Sequence, residues 1–276
     1  KDLITMKKRR MNNIFKKDGK SFVLAMDHSA QMYSPDLKDP GHIIRECVAG
    51  GVDCFLTTYG IIKHFSDDFG NAGIMMRADG GASMIRKPQN PLDLLYTAED
   101  AVRVGADSML CMGLPGSQTN EHSLKYLAKL AADAEKYGLP VCSEALPYGF
   151  ERPEGVDTRA IDLMSFACRQ SADLGADIIK SEFVGGEAVG ERGGRVAFFE
   201  VSAGPFEEAF GQRGEVVRRP TVDEETSFRA VARMTATAAI AASAASTSAS
   251  VLEKPREKRT VPRGKVSSVL WAEGAQ

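Results

Sequence analysis

The stretch "GADIIKSEF" (175–183) sets an ammonium group in the middle of an apolar run, at Lys180. A charge buried there without a partner is costly. Lys180 therefore carries its head to solvent, pairs with Asp27 or Glu182, or is kept for its chemistry. Side chains alternate along a strand, so Ile178, Lys180 and Glu182 share one face, and Ile179, Ser181 and Phe183 the other. A desolvated lysine gives up its proton more readily, its pKa falling from about 10 toward neutrality. The neutral amine attacks carbonyls and forms a Schiff base. A second candidate is Asp27, which closes the apolar run "SFVLAMD" and precedes His28. An Asp at a strand end is often a cap; here it stands where a barrel would do its chemistry. His28 either orients Asp27 or fills the next layer outward. The histidines, His28, His42, His64 and His122, are scattered, and no His/Asp/Glu cluster has metal spacing.

The elements that must hold these residues repeat. "AGGVDCFLTT" (49–58), "RVGADSMLCMG" (103–113) and "DLGADIIKSEF" (173–183) share one layout: a helix tail, Gly, Ala or Val, Asp, then an apolar strand. Gly suits the left-handed residue that ends a helix, and the apolar run suits a strand buried on both faces. "SFVLAMDH" (21–28), "GIMMRAD" (73–79) and "LPVCSEAL" (139–146) supply three more strands. Between them, "NEHSLKYLAKLAADAEKYG" and "DTRAIDLMSFACRQSADLG" show apolar stripes at helical spacing, with Asn120 and Asp157 as N-cap candidates. Repeated strand–helix units demand a parallel sheet. Six units with material for two more predict an α/β fold, the closed (β/α)8 TIM barrel, with strands seven and eight poorly supported. A doubly wound sheet is disfavoured because "MDHSAQMYSPD" has no GxGxxG after the first strand. An inward Lys180 would then sit near the C-terminal mouth of the barrel.

Size and composition add limits. The chain has 276 residues and a formal net charge of -2, so neither nucleic acid nor an anionic membrane is indicated as a partner. No apolar run is long enough to span a bilayer. Residues 1–20 are basic with no apolar segment after them, and read as a solvated arm rather than a signal peptide. The five cysteines form no CxxC pair and mostly lie in apolar runs, as reduced core thiols of a cytoplasmic protein do.

"LAMDHS", "GVDCFLTTYGI", "GLPGSQTNEHSLKYLAKLAADAEKYGLPV" and "ADLGADIIKSEF" together resemble the DhnA-type class I aldolases. That family includes archaeal-type fructose-bisphosphate aldolases, aminodideoxyheptulosonate synthases and the thiolase LsrF. The resemblance covers about residues 20–186. It implies a TIM barrel, a Schiff base on Lys180, and Asp27 assisting proton transfer. It further implies a sugar-phosphate substrate, no cofactor and a homo-oligomer. The family's strand-five Tyr-Pro-Arg-Gly motif appears here as "LPYG", which puts Leu146 at the tyrosine place. Glu144 or Tyr148 is left to act as acid/base, with a loop aromatic on the rim as the plain reading of Tyr148. Arg77 in "MRADGGAS" offers a fork of donors to phosphate or carboxylate, or pairs with a neighbouring acid. Ser117 in "PGSQTNE" touches substrate or only starts a helix.

Residues 21–276 are read as a single barrel domain, of which 187–276 departs from the pattern. Residues 186–220 show no strand–helix rhythm, and "MTATAAIAASAASTSAS" is near low complexity. "SSVLWAEGAQ" falls in the family's order as a faint echo. "VRRP" and "TSAS" stand where the family has glycine loops that bind phosphate, with Arg218 and Arg219 as poor replacements. Divergence and frame slips in a GC-rich gene both account for this, the second being preferred. The function expected is a class I aldolase acting on a ketose phosphate. An LsrF-like acyl transfer on a phosphorylated dione and a catalytically dead barrel are the alternatives.

Overall fold

The computed structural model describes residues 2–17, 19–32, 35–87, 89–182, 197–201 and 269–273. Eight strands close a barrel in chain order: β1 (Lys20–Ala25), β2 (Cys54–Thr57), β3 (Gly73–Arg77), β4 (Ser108–Gly113), β5 (Val141–Ala145), β6 (Ile178–Glu182), β7 (Ala197–Val201) and β8 (Val269–Glu273). Strands β1 to β7 run parallel to one another. β8 runs antiparallel to both β7 and β1, which departs from a uniform (β/α)8 pattern. Closure leaves neither sheet edge with unpaired ladder groups. β7 arises in a stretch whose sequence shows no strand–helix rhythm; its "AFFEV" is nonetheless rich in strand formers. The loops "VRRP" and "TSAS", Arg218, Arg219 and the question of frame slips lie outside the described residues.

The helices are α1 (Asp2–Ile14), α2 (Pro40–Ala49), α3 (Tyr59–Phe65), α4 (Ala98–Arg103), α5 (Ser123–Glu135) and α6 (Ile161–Asp173). Strand alternation sorts the core. Val23, Cys54, Leu56, Met75, Leu110, Cys142 and Ile178 gather with Ile14 and Phe15 in one cluster inside the barrel. Residues of the other parity face the helices. Leu24 and Phe55 meet Ile44 and Cys47 of α2, and Met109, Cys111 and Val141 meet Leu127, Leu130 and Ala134 of α5. Ile179 packs with Ala167 and Cys168 of α6. Burying each such Leu, Ile or Met side chain contributes about 1.5–3 kcal/mol. A one-residue slip of any strand would turn its whole set to the wrong face.

The Gly–x–Asp repeat organises the N-terminal end of the barrel. Gly51, Gly105 and Gly175 take positive φ, as helix-ending glycines do. Two residues on, each aspartate grips the preceding strand twice. The backbone N–H of Asp53, Asp107 and Asp177 donates to the carbonyl of Phe22, Ile74 and Val141, at 2.9, 2.8 and 2.8 Å. Their carboxylates accept the N–H of the same three residues at 2.8, 3.0 and 3.0 Å. The repeat therefore fixes the register of β1/β2, β3/β4 and β5/β6.

The same three acids receive the N-terminal segment. Lys7 Nζ lies 3.0 Å from Asp177 and also pairs with Glu135. Asn13 Nδ2 donates to Asp107 at 2.7 Å, and Lys16 Nζ stands 4.0 Å from Asp53. Arg10 donates to the Ala106 carbonyl at 2.9 Å. The basic segment expected as a solvated arm is thus a helix docked on the barrel. Lys8 and Arg9 are exposed, whereas Ile14 and Phe15 enter the interior cluster. Burial works against the charge of Lys7, but Glu135 and Asp177 outweigh it and raise its pKa above the usual lysine value. Among the described residues, no helix is long and apolar enough to cross a membrane.

Candidate active site

Alternation brings Ile178 and Lys180 of β6 into the interior, as their spacing predicts. In the parallel register Lys180 stands opposite Glu144 of β5. Lys180 Nζ donates to Glu144 Oε1 at 2.6 Å, and each side chain is 7% exposed. The alternative partners sort themselves. Glu182 is taken by Arg159, which also donates to the carbonyls of Pro147 and Gly149 at 3.1 Å each. Arg159 thereby straps the loop after β5 to the end of β6.

Above this pair sits Arg77, at the end of β3. Its Nη1 lies 2.8 Å from Asp27 Oδ2 and 3.9 Å from Glu144 Oε2, and its Nε pairs with Asp79. Arg77, Asp27, Glu144 and Lys180 are therefore one buried charge cluster, assembled from the segment just after β1 and from β3, β5 and β6. Burial works against the guanidinium charge, but Asp79, Asp27 and Glu144 hold Arg77 more firmly protonated than usual. For Asp27, burial favours the neutral acid, yet Arg77 first, then His28 and Lys180, pull its pKa below the ordinary carboxylate value. Burial pushes up the thiols of all five cysteines, Cys47 to about 12. They stay protonated and are poor nucleophiles.

The other sequence candidates lie differently. His28 begins a short 3-10 turn directly after Asp27, half-buried, and its carbonyl accepts from Gln31 and Met32. Ser117 Oγ donates to Glu151 at 2.8 Å and accepts from Asn120 N at 2.9 Å, so the hydroxyl closes its own loop. Tyr148 takes a positive φ of 59°, and its ring lies against Gly116 of the neighbouring loop. The helix starts also differ from expectation. Asn120 Oδ1 accepts the N–H of Leu92, not a helix N–H, and α5 begins at Ser123. Asp157 accepts from Arg159 N in the turn before α6.

Sequence reasoning passed over Asp79, Tyr126 and Arg159. The signal for Asp79 was its place two residues after Arg77, on the same side of the chain. Tyr126 and Arg159 carried no such signal, since their partners lie far off in sequence. Among the described residues no cluster of His, Cys, Asp and Glu is arranged to hold a metal ion.

Comparison with known proteins follows the same lines. The family model "DeoC/LacD family aldolase" matches residues 21–251. A 2-amino-3,7-dideoxy-D-threo-hept-6-ulosonate synthase of Halobacterium salinarum is 32% identical over 180 residues, 65% of this chain and 66% of that protein. The chain spans about two thirds of the length of the curated relatives it matches. A crystal structure of an archaeal fructose 1,6-bisphosphate aldolase superimposes with a TM-score of 0.63 at 25% identity, over 74% of this chain and 83% of the other. A second archaeal fructose-1,6-bisphosphate aldolase structure has its catalytic lysine bound to the carbinolamine intermediate of the substrate. It matches with a TM-score of 0.59 at 25% identity, over 68% of this chain and 76% of that one.

Proposed function

The chain belongs to the DeoC/LacD family of aldolases, and from that membership we propose that it is a Schiff-base class I aldolase acting on a ketose phosphate. The observation that carries the reading is the sealed pair of Lys180 and Glu144, Nζ to Oε1 at 2.6 Å. An amine that must become a nucleophile stands beside an acceptor for its proton.

The chemistry then closes on two residues. Lys180 passes a proton to Glu144 and attacks the substrate carbonyl, giving a carbinolamine. Glu144 returns the proton to the departing hydroxyl, water leaves, and an iminium remains on Lys180. The regenerated carboxylate takes the proton of the substrate's β-hydroxyl as the carbon–carbon bond breaks. The bond's electrons enter the iminium, the aldehyde leaves, and an enamine forms. Glu144 protonates the enamine carbon, and water hydrolyses the resulting iminium to free Lys180. Asp27, held charged by Arg77, offsets the positive charge of the iminium throughout. Glu144 thus serves where the family uses a tyrosine, and Tyr148 is the lesser candidate because its ring rests on Gly116. His28 and Arg77 border the reacting end; Ser117 shapes the loop at the mouth.

The same reading has the enzyme working in the cytoplasm on sugar phosphates, as a homo-oligomer and without a cofactor. Five buried cysteines, none of them in a disulfide, suit a reducing compartment. The test is borohydride reduction of the protein incubated with dihydroxyacetone phosphate, followed by peptide mass analysis. An adduct confined to the peptide holding Lys180, and lost in Lys180→Met, is expected. A folded protein with no adduct, or with one elsewhere, overturns the reading.

A further inference from the structure

Asp79 and Tyr126 take no part in the steps above, yet they grip the charge cluster from outside. Asp79 is 2% exposed and its carboxylate is fully engaged. One oxygen receives Arg77 Nε; the other receives the N–H of Met112 at 2.8 Å and the hydroxyl of Tyr126 at 2.7 Å. Tyr126 comes from α5, in the helix layer, and its body is packed among Met76, Met109 and Leu130. Its ring meets His122 edge-on at 5.8 Å, and His122 is itself tied to the Leu92 carbonyl at 2.5 Å. The hydroxyl is thus anchored to the rigid layer outside the barrel, and it reaches Arg77 through one carboxylate.

What Arg77 does depends on its position. Its Nη1 is at hydrogen-bond distance from Asp27, at 2.8 Å, but stands off from Glu144, at 3.9 Å. The nearer carboxylate is pinned as an anion, while the farther one keeps Oε1 for Lys180. Two acids in one site take different roles when their environments differ in this way. A small displacement of the guanidinium would level the difference.

We propose that Tyr126, acting through Asp79, positions Arg77 so that Asp27 stays the fixed charge of the site and Glu144 exchanges a proton with Lys180. This rests on the aldolase reading for the role of Glu144, but not for the contact itself. Tyr126 is a positioning residue, not a catalytic one. Without its hydroxyl, Asp79 Oδ2 keeps only the Met112 N–H, and the carboxylate draws the guanidinium toward itself. Arg77 then withdraws from Asp27 and Glu144, and both hold protons more strongly. The other charged and titratable neighbours are Lys180 and Cys142 beside Glu144, His28 and Lys180 beside Asp27, and Cys111 beside Asp79. None of them is altered by the change.

The variant is Tyr126→Phe, which keeps the ring and removes one atom. With dihydroxyacetone phosphate as probe and borohydride as trap, adduct formation is followed against pH for wild type and variant. Trapping is expected to slow about tenfold, with the acid limb moved upward by about half to one pH unit. An acid limb at the wild-type position overturns the proposal, whether or not the rate falls. Acid unfolding needs no ligand and reads the same contact. The variant's loss of stability should be fully present near neutral pH and shrink as pH falls through the carboxylate range, because wild type gives up the same contribution once those acids are protonated. A deficit equal at every pH means a merely structural hydroxyl and also overturns it. A wild type that forms no adduct sinks the aldolase reading, and the acid-unfolding comparison then decides Tyr126 by itself.

Discussion

Glu144 and Lys180 stand opposite each other on neighbouring parallel strands, Oε1 to Nζ at 2.6 Å, both nearly sealed from water. A buried ion pair seldom adds net stability, because desolvating both charges cancels most of their attraction. On the aldolase reading proposed above, the pair is a proton donor and acceptor held ready.

Glu144→Gln keeps the size of the side chain and removes the proton acceptor. Turnover is expected to fall by about 10²–10⁴-fold, with the fold intact by circular dichroism. A variant as fast as wild type in an aldol-cleavage assay would move the acid/base role away from Glu144.

Asp27 makes stability depend on acid. Its folded pKa lies below the unfolded value near 3.8. The unfolded chain therefore takes up the proton first as pH drops. The contribution is fully present above the unfolded value and is lost as pH falls through the folded one. Asp27→Asn should cost about 3–5 kcal/mol at neutral pH, by leaving Arg77 short of a partner. The variant should also lose this part of the acid dependence. Urea unfolding at several pH values below 5 checks both.

Asp107→Ala strips the acceptor from the N–H of Ile74 and from Asn13 together. An expected loss of about 1–3 kcal/mol follows from the stranded N–H. It should appear in urea unfolding, while imine formation at the opposite end of the barrel continues.

Gly73→Ala tests the docking of α1. A Cβ there would lie 2.6 Å from the Asn13 carbonyl oxygen and 3.2 Å from Ile14 Cα, both backbone atoms that cannot rotate away. The helix must shift, at about 1–3 kcal/mol. Limited trypsin digestion should cut within residues 7–17 faster than in wild type. An unchanged digestion rate would mean that the helix is not held against β3.

Tyr148→Phe keeps the ring that lies on Gly116 and removes only the hydroxyl. Turnover should stay at the wild-type level in the same cleavage assay. A large loss would return Tyr148 to the role of acid/base.

How far the sequence carried the argument can be traced through single residues. Alternation along "DIIKSEF" was enough to aim Lys180 inward, and the apolar run before it was enough to bury it. The Gly–x–Asp repeat announced strands at residues 54, 108 and 178, and all three are there. The partner of Lys180 was not legible. Asp27, Glu144 and Glu182 were all named near the site, and strand register chose among them. Ser117 and Asn120 had the right residue types for binding and capping, but their nearest partners in space, Glu151 and Leu92, took them up.

By itself the sequence determined what short-range periodicity encodes: strand and helix segments, the face each side chain takes, and the helix-ending glycines. Only the tertiary structure decided what depends on closing the barrel. That includes the pairing of Glu144 with Lys180, the sharing of Arg77 among Asp27, Asp79 and Glu144, and the reach of Tyr126 through the wall. It also includes the docking of α1 on the three repeat aspartates. The reason is physical: side-chain direction follows from a residue's own backbone, whereas an ion pair depends on how separate segments are brought into register.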